Sequence, residues 1–153
     1  MKQFPDGAPT YFREKIRYGI NIFVNLEDCL LVFPTELTDE YYPPIEPKIH
    51  TFRRGNRWKA GIPIDFKQWS GLPYKSKTIT FAPRIPCTGQ QKIFIQSPSL
   101  STKSRIFIDG KPLADEKINQ LAINDGFNDE KHLFNYFTDH FEGQIVHWTQ
   151  TRY

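Results

Sequence analysis

The chain has 153 residues, of which 39% are hydrophobic, 15% aromatic and 24% charged, and its formal net charge is +3. The length fits one domain, and so many large apolar rings exclude a disordered chain. There is no long apolar run at the start and none of about 18 residues elsewhere, and the only cysteines are Cys29 and Cys87. We therefore expect one soluble, cytoplasmic, monomeric domain over residues 1–153, without membrane partner, disulfide scaffold, metal or cofactor.

The N-terminal part of the chain predicts one short helix. Thr10 follows turn-forming residues, and its hydroxyl can cap a helix over residues 11–18. Phe12 and Ile16 are four residues apart and would face the core, and Gly19 would end the helix.

Residues 20–47 predict an insertion or a long connection. Within it, residues 36–46 carry four acids and no Lys or Arg, and their prolines forbid a regular helix. This stretch is either a solvated connection or a segment that lies near a basic cleft and limits access. In the second case its deletion should raise RNA affinity.

The middle and the end of the chain alternate between apolar and polar residues in short runs. This period of two, broken by Gly, Pro and Ser, predicts strands with one buried face. The predicted strands cover residues 49–53, 62–66, 77–81, 91–96, 104–108 and, at the end, 144–148.

Between the last two strands the period becomes helical. One helix contains Ile118, Leu121 and Ala122 and is closed by residues 124–126. Asn128 would cap a second helix. The apolar face of the second helix would consist of Leu133, Phe134, Phe137 and Phe141. We therefore predict an α+β fold, a β-barrel of about five to seven short strands with an N-terminal helix and a helical pair before the last strand.

Positive charge is concentrated in one segment. Residues 48–59 contain five of the 20 Lys and Arg residues and no acid. These cations are Lys48, Arg53, Arg54, Arg57 and Lys59. Clustered cations around Trp58 suit a partner that carries phosphates and bases, although a solvated basic loop has the same pattern.

Strand alternation divides the segment between two faces. Lys48, His50 and Phe52 would point one way, and Thr51 and Arg53 the other. Twist or a bulge near the strand start could bring Lys48 into the same pocket as Thr51. The histidines His50, His132, His140 and His147 have no metal-ligand spacing, so we expect no metal site.

The segment Lys48-Ile49-His50-Thr51-Phe52-Arg53 resembles the K-x-x-T-x-R signature of ASCH domains. The residues 57–61 (R-W-K-A-G) are similar to the turn that follows it in that family, and residues 121–127 are similar to the A-x-x-[D/E]-G stretch between its helices. Residues 9–16 and 141–149 resemble the opening helix and closing strand of phage-type and Bacteroidetes-type members.

The resemblance implies a PUA-like barrel with a cleft that binds RNA or a modified nucleoside, with His50, Arg53, Arg54, Arg57, Trp58 and Lys59 as binding residues. One ASCH branch hydrolyses N4-acetylcytidine with a Lys, a Thr and a Glu. These roles fall on Lys48, Thr51 and Asp125, where this sequence has the shorter acid.

Three function classes remain open from the sequence. The first is a module that binds RNA or a nucleoside, which needs only the charge cluster and the fold. The second is an amidohydrolase, in which Lys48 with a lowered pKa would remove the proton of the Thr51 hydroxyl. Asp125 would either position the lysine or pass the proton to the leaving amine. The third is an interaction protein without the site, with Lys48 as a strand-edge lysine, Thr51 as an ordinary strand residue and Asp125 as a helix-end residue.

Overall fold

The computed structural model describes residues 10–24, 45–97 and 105–153. They form three helices and nine strands, so the protein is α+β. In chain order these are α1 (Phe12–Phe23), β1 (His50–Arg54), β2 (Pro63–Ile64), β3 (Lys67–Trp69), β4 (Thr78–Thr80), β5 (Ile85–Pro86), β6 (Gly89–Gln96), β7 (Arg105–Ile108), β8 (Lys111–Pro112), α2 (Asp115–Asn124), α3 (Glu130–Tyr136) and β9 (Phe141–His147). The N-terminal helix and the helical pair before the last strand are as predicted.

A five-stranded antiparallel sheet in the order β1-β9-β6-β7-β8 is the centre of the fold. His50 of β1 lies opposite His147 of β9. The strands β1 and β8 are its edges, so this sheet is open and the prediction of a closed barrel is wrong. Alternation along a strand shows that one face is buried, but it carries no information about whether the two edges meet.

Each face of this sheet contributes to a different core. The first core joins the sheet to α2 and α3, and its members include Phe52, Ile95, Leu121, Leu133 and Ile145. The second core joins the opposite face to α1 and to the antiparallel pair β2–β5, and its members include Ile64, Phe66, Ile85, Val146 and Trp148. Neighbouring residues of β9 thus serve opposite cores.

Helix α1 differs from its prediction at both ends. Tyr11, and not Thr10, is the N-cap residue, and the Tyr11 side chain makes no capping hydrogen bond. The helix continues through Gly19 to Phe23, so Gly19 does not end it. Gly19 is needed for packing instead. A Cβ atom at Gly19 would overlap the carbonyl oxygen of Lys48, so the helix backbone can approach β1 only without a side chain there.

The helical pair also has different boundaries. Asp129, and not Asn128, caps α3, because its side chain accepts a hydrogen bond from the backbone N–H of His132. The helix ends at Tyr136, so Phe137 follows it and Phe141 begins β9. The predicted apolar helix face therefore combined residues from a helix, a turn and a strand, all of which pack toward the same core.

Three strands, β3, β5 and β8, have no counterpart in the prediction, and the predicted strand 62–66 covers β2 and its connection to β3. The predicted connection over residues 20–47 falls mainly on residues 25–44, which lie outside the described residues, as does Cys29. Within the described ranges no helix is long and apolar enough to cross a membrane.

Candidate functional site: a buried Lys–Asp–His network beside an arginine cleft

The start of β1 and the end of α2 are in direct contact. The backbone N–H of Ile49 donates to the carbonyl of Asn124 over 2.9 Å, and that of Phe52 donates to Oδ1 of Asp125 over 3.0 Å. The strand after Pro47 and the turn at Gly126 therefore lie side by side.

Lys48 and Asp125 form a buried ion pair in this site. Nζ of Lys48 lies 3.0 Å from Oδ1 of Asp125, and the two side chains are 4% and 7% exposed. The ammonium group also donates to the carbonyl oxygen of Asp125, the C-cap residue of α2, where a cation is favoured by the helix dipole. Burial lowers the pKa of Lys48 to about 8, against the opposing effect of Asp125, and Arg53 and Lys15 lower it further.

His50 connects Asp125 to the C-terminal residue. Nδ1 of His50 lies 3.3 Å from Oδ1 of Asp125, and Nε2 lies 2.7 Å from the hydroxyl of Tyr153. Nδ2 of Asn124 donates to that hydroxyl over 2.7 Å, so the tyrosine proton points to Nε2 and the imidazole proton is on Nδ1. Burial lowers the pKa of His50, which keeps the ring neutral. Both ring nitrogens are thus already used within the protein.

Helix α1 covers the network. The ring centroid of Phe12 is 5.0 Å from Nζ of Lys48. Lys15 donates to the carbonyl of Gly126 over 2.8 Å and to Oδ1 of Asn128 over 3.1 Å. Gly126 has φ of 94°, and a Cβ atom there would crowd both Phe12 and Lys48. A glycine is therefore required at this turn, which explains the Asp-Gly pair.

Thr51 occupies a different position from Lys48 and Asp125. It pairs with Val146 of β9 and is half-buried between the buried residues His50 and Phe52. Strand alternation directs its side chain to the face opposite to theirs. Among the described residues its hydroxyl has no hydrogen-bond partner.

A cleft opens at the C-terminal end of β1. We call it the arginine cleft; its volume is about 430 Å³, and it is lined by Phe52, Arg53, Arg54, Tyr136, Phe137, Thr138, Asp139 and Phe141. Arg53 and Arg54 are exposed, and the guanidinium carbon of Arg54 lies 5.1 Å from the ring centroid of Phe141. Tyr136 is 52% exposed. Cations and aromatic rings thus share one concave surface.

The loop after β1 carries the remaining predicted binding residues. Arg57 and Lys59 are exposed, and Arg57 lies over the ring of Trp58 at 5.4 Å. Trp58 packs against the second core, and its backbone N–H and C=O bond to the side chain of Gln144. These residues do not line the arginine cleft.

His147 is the one fully buried histidine without a hydrogen-bond partner for either ring nitrogen among the described residues. Burial, together with His50 and Arg152, lowers its pKa to about 3, so its ring is neutral. No group of three or more His, Cys, Asp or Glu residues that could hold a metal ion occurs in residues 10–24, 45–97 and 105–153.

Several residues of the site are not among the predicted site residues. Phe12 and Lys15 come from α1, Asn124 precedes the predicted acid, and Tyr153 comes from the chain end. Only Asn124 had a signal, since it adjoins Asp125. The others are brought in by packing between distant segments: Lys15 contacts Gly126 over 111 residues of sequence, and Tyr153 contacts His50 over 103.

No family model, no curated protein and no solved structure matches the chain. The resemblance to ASCH domains and the roles that it implies therefore stay predictions.

Proposed function

We propose that this protein binds RNA or a modified nucleoside in the arginine cleft. The observation that carries the proposal is that Arg53 and Arg54 line a cavity of about 430 Å³ together with aromatic rings from the end of α3 to the start of β9. This volume lies in the range of small-ligand pockets. Guanidinium groups can pair with phosphate oxygens, and exposed rings can stack on a base.

The lining of the cleft combines three kinds of side chain. The guanidinium group of Arg54 lies over Phe141. Tyr136, which is half-exposed, contacts Phe137 at 5.0 Å between ring centroids. Asp139 follows Phe137 by two residues, is exposed and also lines the cleft, where its carboxylate can accept hydrogen bonds from ribose hydroxyls. A nucleotide has a matching group for each kind: a phosphate, a base and a sugar diol.

The buried network supports the cleft from behind. Phe52 lines the cleft with its side chain, while its backbone N–H is held by Asp125. The Lys48–Asp125 pair therefore fixes the position of the strand that presents Arg53 and Arg54. A pocket for an uncharged ligand would need no such cations. We therefore expect the affinity for the ligand to fall as the salt concentration rises.

Calorimetry with cytidine, cytidine monophosphate and N4-acetylcytidine would test the proposal. Arg54→Gln should weaken binding of the monophosphate, whereas Tyr136→Leu should weaken binding of all three, because it removes the stacking face. Lys117→Gln is the matched control, since Lys117 is an exposed cation on α2 outside the cleft. Equal affinity of all variants would overturn the proposal, and an absence of binding would favour an interaction protein.

A second candidate, an amidohydrolase acting on N4-acylated cytidine, is favoured by one observation. Burial lowers the pKa of Lys48 to about 8 beside an acid, which brings a lysine into the range of a general base. In such a reaction the Thr51 oxygen would take the acyl group, its proton would pass through Lys48 to the leaving amine, and water would then hydrolyse the ester. This requires the Thr51 side chain to leave the face opposite to Lys48, on which strand alternation places it.

Incubation with N4-acetylcytidine and detection of cytidine would test this candidate. Thr51→Val keeps the shape of the strand residue and should abolish turnover if the hydroxyl is the nucleophile. Lys48→Ala should also abolish it, with circular dichroism used to verify the fold. Turnover that survives Thr51→Val would exclude this mechanism, and no turnover by the unchanged protein would exclude the activity.

A further inference from the structure

Two phenylalanines stand side by side on the face of the central sheet opposite to the first core. Phe94 of β6 and Phe107 of β7 are Cα partners in the antiparallel ladder, and their ring centroids are 6.0 Å apart. His140 lies on the other side of Phe94, at 5.8 Å between centroids with planes tilted by 37°. We call these three rings the aromatic platform.

The platform is open where the rest of this face is covered. At the Val146 end of the sheet the second core buries the face. Phe94 and Phe107 belong to neither core, and Phe94 is 36% exposed. Together with Gln96 and Gly110 the platform lines a concavity of about 470 Å³. Adjacent aromatic rings that do not complete a core need another explanation for their position in the middle of a sheet.

Cations flank the platform along both strands. Lys92 precedes Phe94 by two residues and Arg105 precedes Phe107 by two, so alternation places both cations on the platform face. Because β6 and β7 are antiparallel, the two cations lie at opposite ends of the aromatic pair. Both are exposed, and neither forms a salt bridge with a described residue.

Two acids lie near the platform: Glu142 on β9, and Asp109 just after β7, whose carboxylate accepts a hydrogen bond from the backbone N–H of Lys92 over 2.8 Å. Glu142 of β9 is the Cα partner of Phe94 and is exposed. It disfavours phosphate on the β9 side. The path that remains for an anionic chain runs diagonally from Lys92 to Arg105 across the two rings. This separation of cations, rings and acid favours a polyanion with flat apolar groups over an uncharged apolar partner.

We propose that the aromatic platform binds a single-stranded oligonucleotide, with successive bases stacked on Phe94 and Phe107 and phosphates paired with Lys92 and Arg105. Every base has a π face, so stacking needs no particular sequence. A duplex cannot bind in this way, because its bases are already stacked. The platform and the arginine cleft share no lining residue, so this inference does not depend on the proposed function.

Fluorescence anisotropy with labelled eight-nucleotide RNA and DNA of the same sequence would test the platform. Phe94→Leu and Phe107→Leu keep apolar volume in the strands but remove the ring, and each should weaken binding by at least about 5-fold. Lys92→Gln and Arg105→Gln should each reduce the slope of affinity against salt by about 0.7. Tyr74→Leu is the control, since Tyr74 is a 90% exposed ring on the β3–β4 connection.

The outcomes separate this site from the arginine cleft. Phe107→Leu should leave the affinity for cytidine monophosphate unchanged. Conversely, the loss of oligonucleotide affinity that Phe107→Leu causes should be the same with and without Arg54→Gln. Tighter binding of RNA than of DNA would identify RNA as the partner, and equal binding would identify single strands in general. Unchanged oligonucleotide affinity in both leucine variants, equal binding of a duplex, or self-association of the protein through this face would overturn the proposal.

Discussion

Nζ of Lys48 lies 3.0 Å from Oδ1 of Asp125, although 77 residues separate them in sequence. The same carboxylate oxygen accepts from the backbone of Phe52 and faces Nδ1 of His50. One acid at the end of α2 therefore fixes the entry into β1, from which both arginines of the cleft project.

The buried pair predicts strong coupling between its members. Lys48→Met leaves the Asp125 carboxylate buried without its cation and should cost about 3–5 kcal/mol of unfolding free energy. Asp125→Asn should also destabilise, but the double variant should lose clearly less than the sum of the two, as measured by urea denaturation. Arg84→Gln, which breaks an exposed pair with Asp65, should change little. Additive losses at Lys48 and Asp125 would contradict the coupling.

The hydroxyl of Tyr153 predicts a second stability effect. Tyr153→Phe removes a group that bonds to Nε2 of His50 and to Nδ2 of Asn124, so two buried polar atoms lose a partner. We expect a loss of about 1–3 kcal/mol. The control is Tyr74→Phe, at an exposed ring. Thermal unfolding of the two variants compares them directly, and equal melting temperatures would show that the hydroxyl does not stabilise the network.

At Gly19 we expect alanine to destabilise the protein, against its ordinary helix propensity. Alanine is ordinarily better than glycine in a helix by roughly 0.5–1 kcal/mol, but Gly19→Ala should destabilise, because the new Cβ atom would overlap the carbonyl oxygen of Lys48. Asn21→Ala, at an exposed position of the same helix, should not destabilise. Chemical denaturation of both variants measures the two signs. A stabilising Gly19→Ala would mean that α1 does not pack closely on the start of β1.

His147 predicts a loss of stability in acid. Its pKa of about 3 in the folded protein lies below its ordinary value of 6.5, so between these values the unfolded chain binds a proton that the folded chain does not. The unfolding free energy should therefore fall as the pH falls from 6.5 toward 3, by up to about 1.4 kcal/mol per pH unit from this histidine. The pKa of His50 is lowered in the same direction.

Unfolding measured at pH 7, 6, 5 and 4 would check this dependence. His147→Leu removes the titrating group and should flatten the profile, whatever its effect on stability at pH 7. Parallel profiles for the variant and the unchanged protein would show that His147 does not contribute to the acid sensitivity.

Patterns of local origin were predictable from the sequence. The alternation of Ile93 and Ile95 gave β6, and the spacing of Ile118, Leu121 and Ala122 gave α2, since each depends on which side of one element faces apolar neighbours. The charge cluster of residues 48–59 was equally visible. Lys48 and Asp125 were singled out through a resemblance to a family, and the roles that it implies stay predictions.

Residues whose roles depend on distant partners were not predictable. Gly19 was interpreted as a helix stop because nothing in α1 indicates that the backbone of Lys48 lies against it. Phe137 and Phe141 matched a helical period although one follows α3 and the other begins β9. Tyr153 gave no signal, because its partners His50 and Asn124 are 103 and 29 residues away.

The sequence by itself determined the three helices, the longer two-faced strands and the concentration of positive charge, because each follows from the order of side chains along a short stretch of backbone. Only the tertiary structure decided that the central sheet stays open, that His50 is buried against Asp125 and Tyr153, and that Phe94 and Phe107 line a concavity outside both cores. The physical reason is that closure, burial and exposure depend on which elements pack against one another. Contacts between residues far apart in the chain, and not local preference, establish that packing.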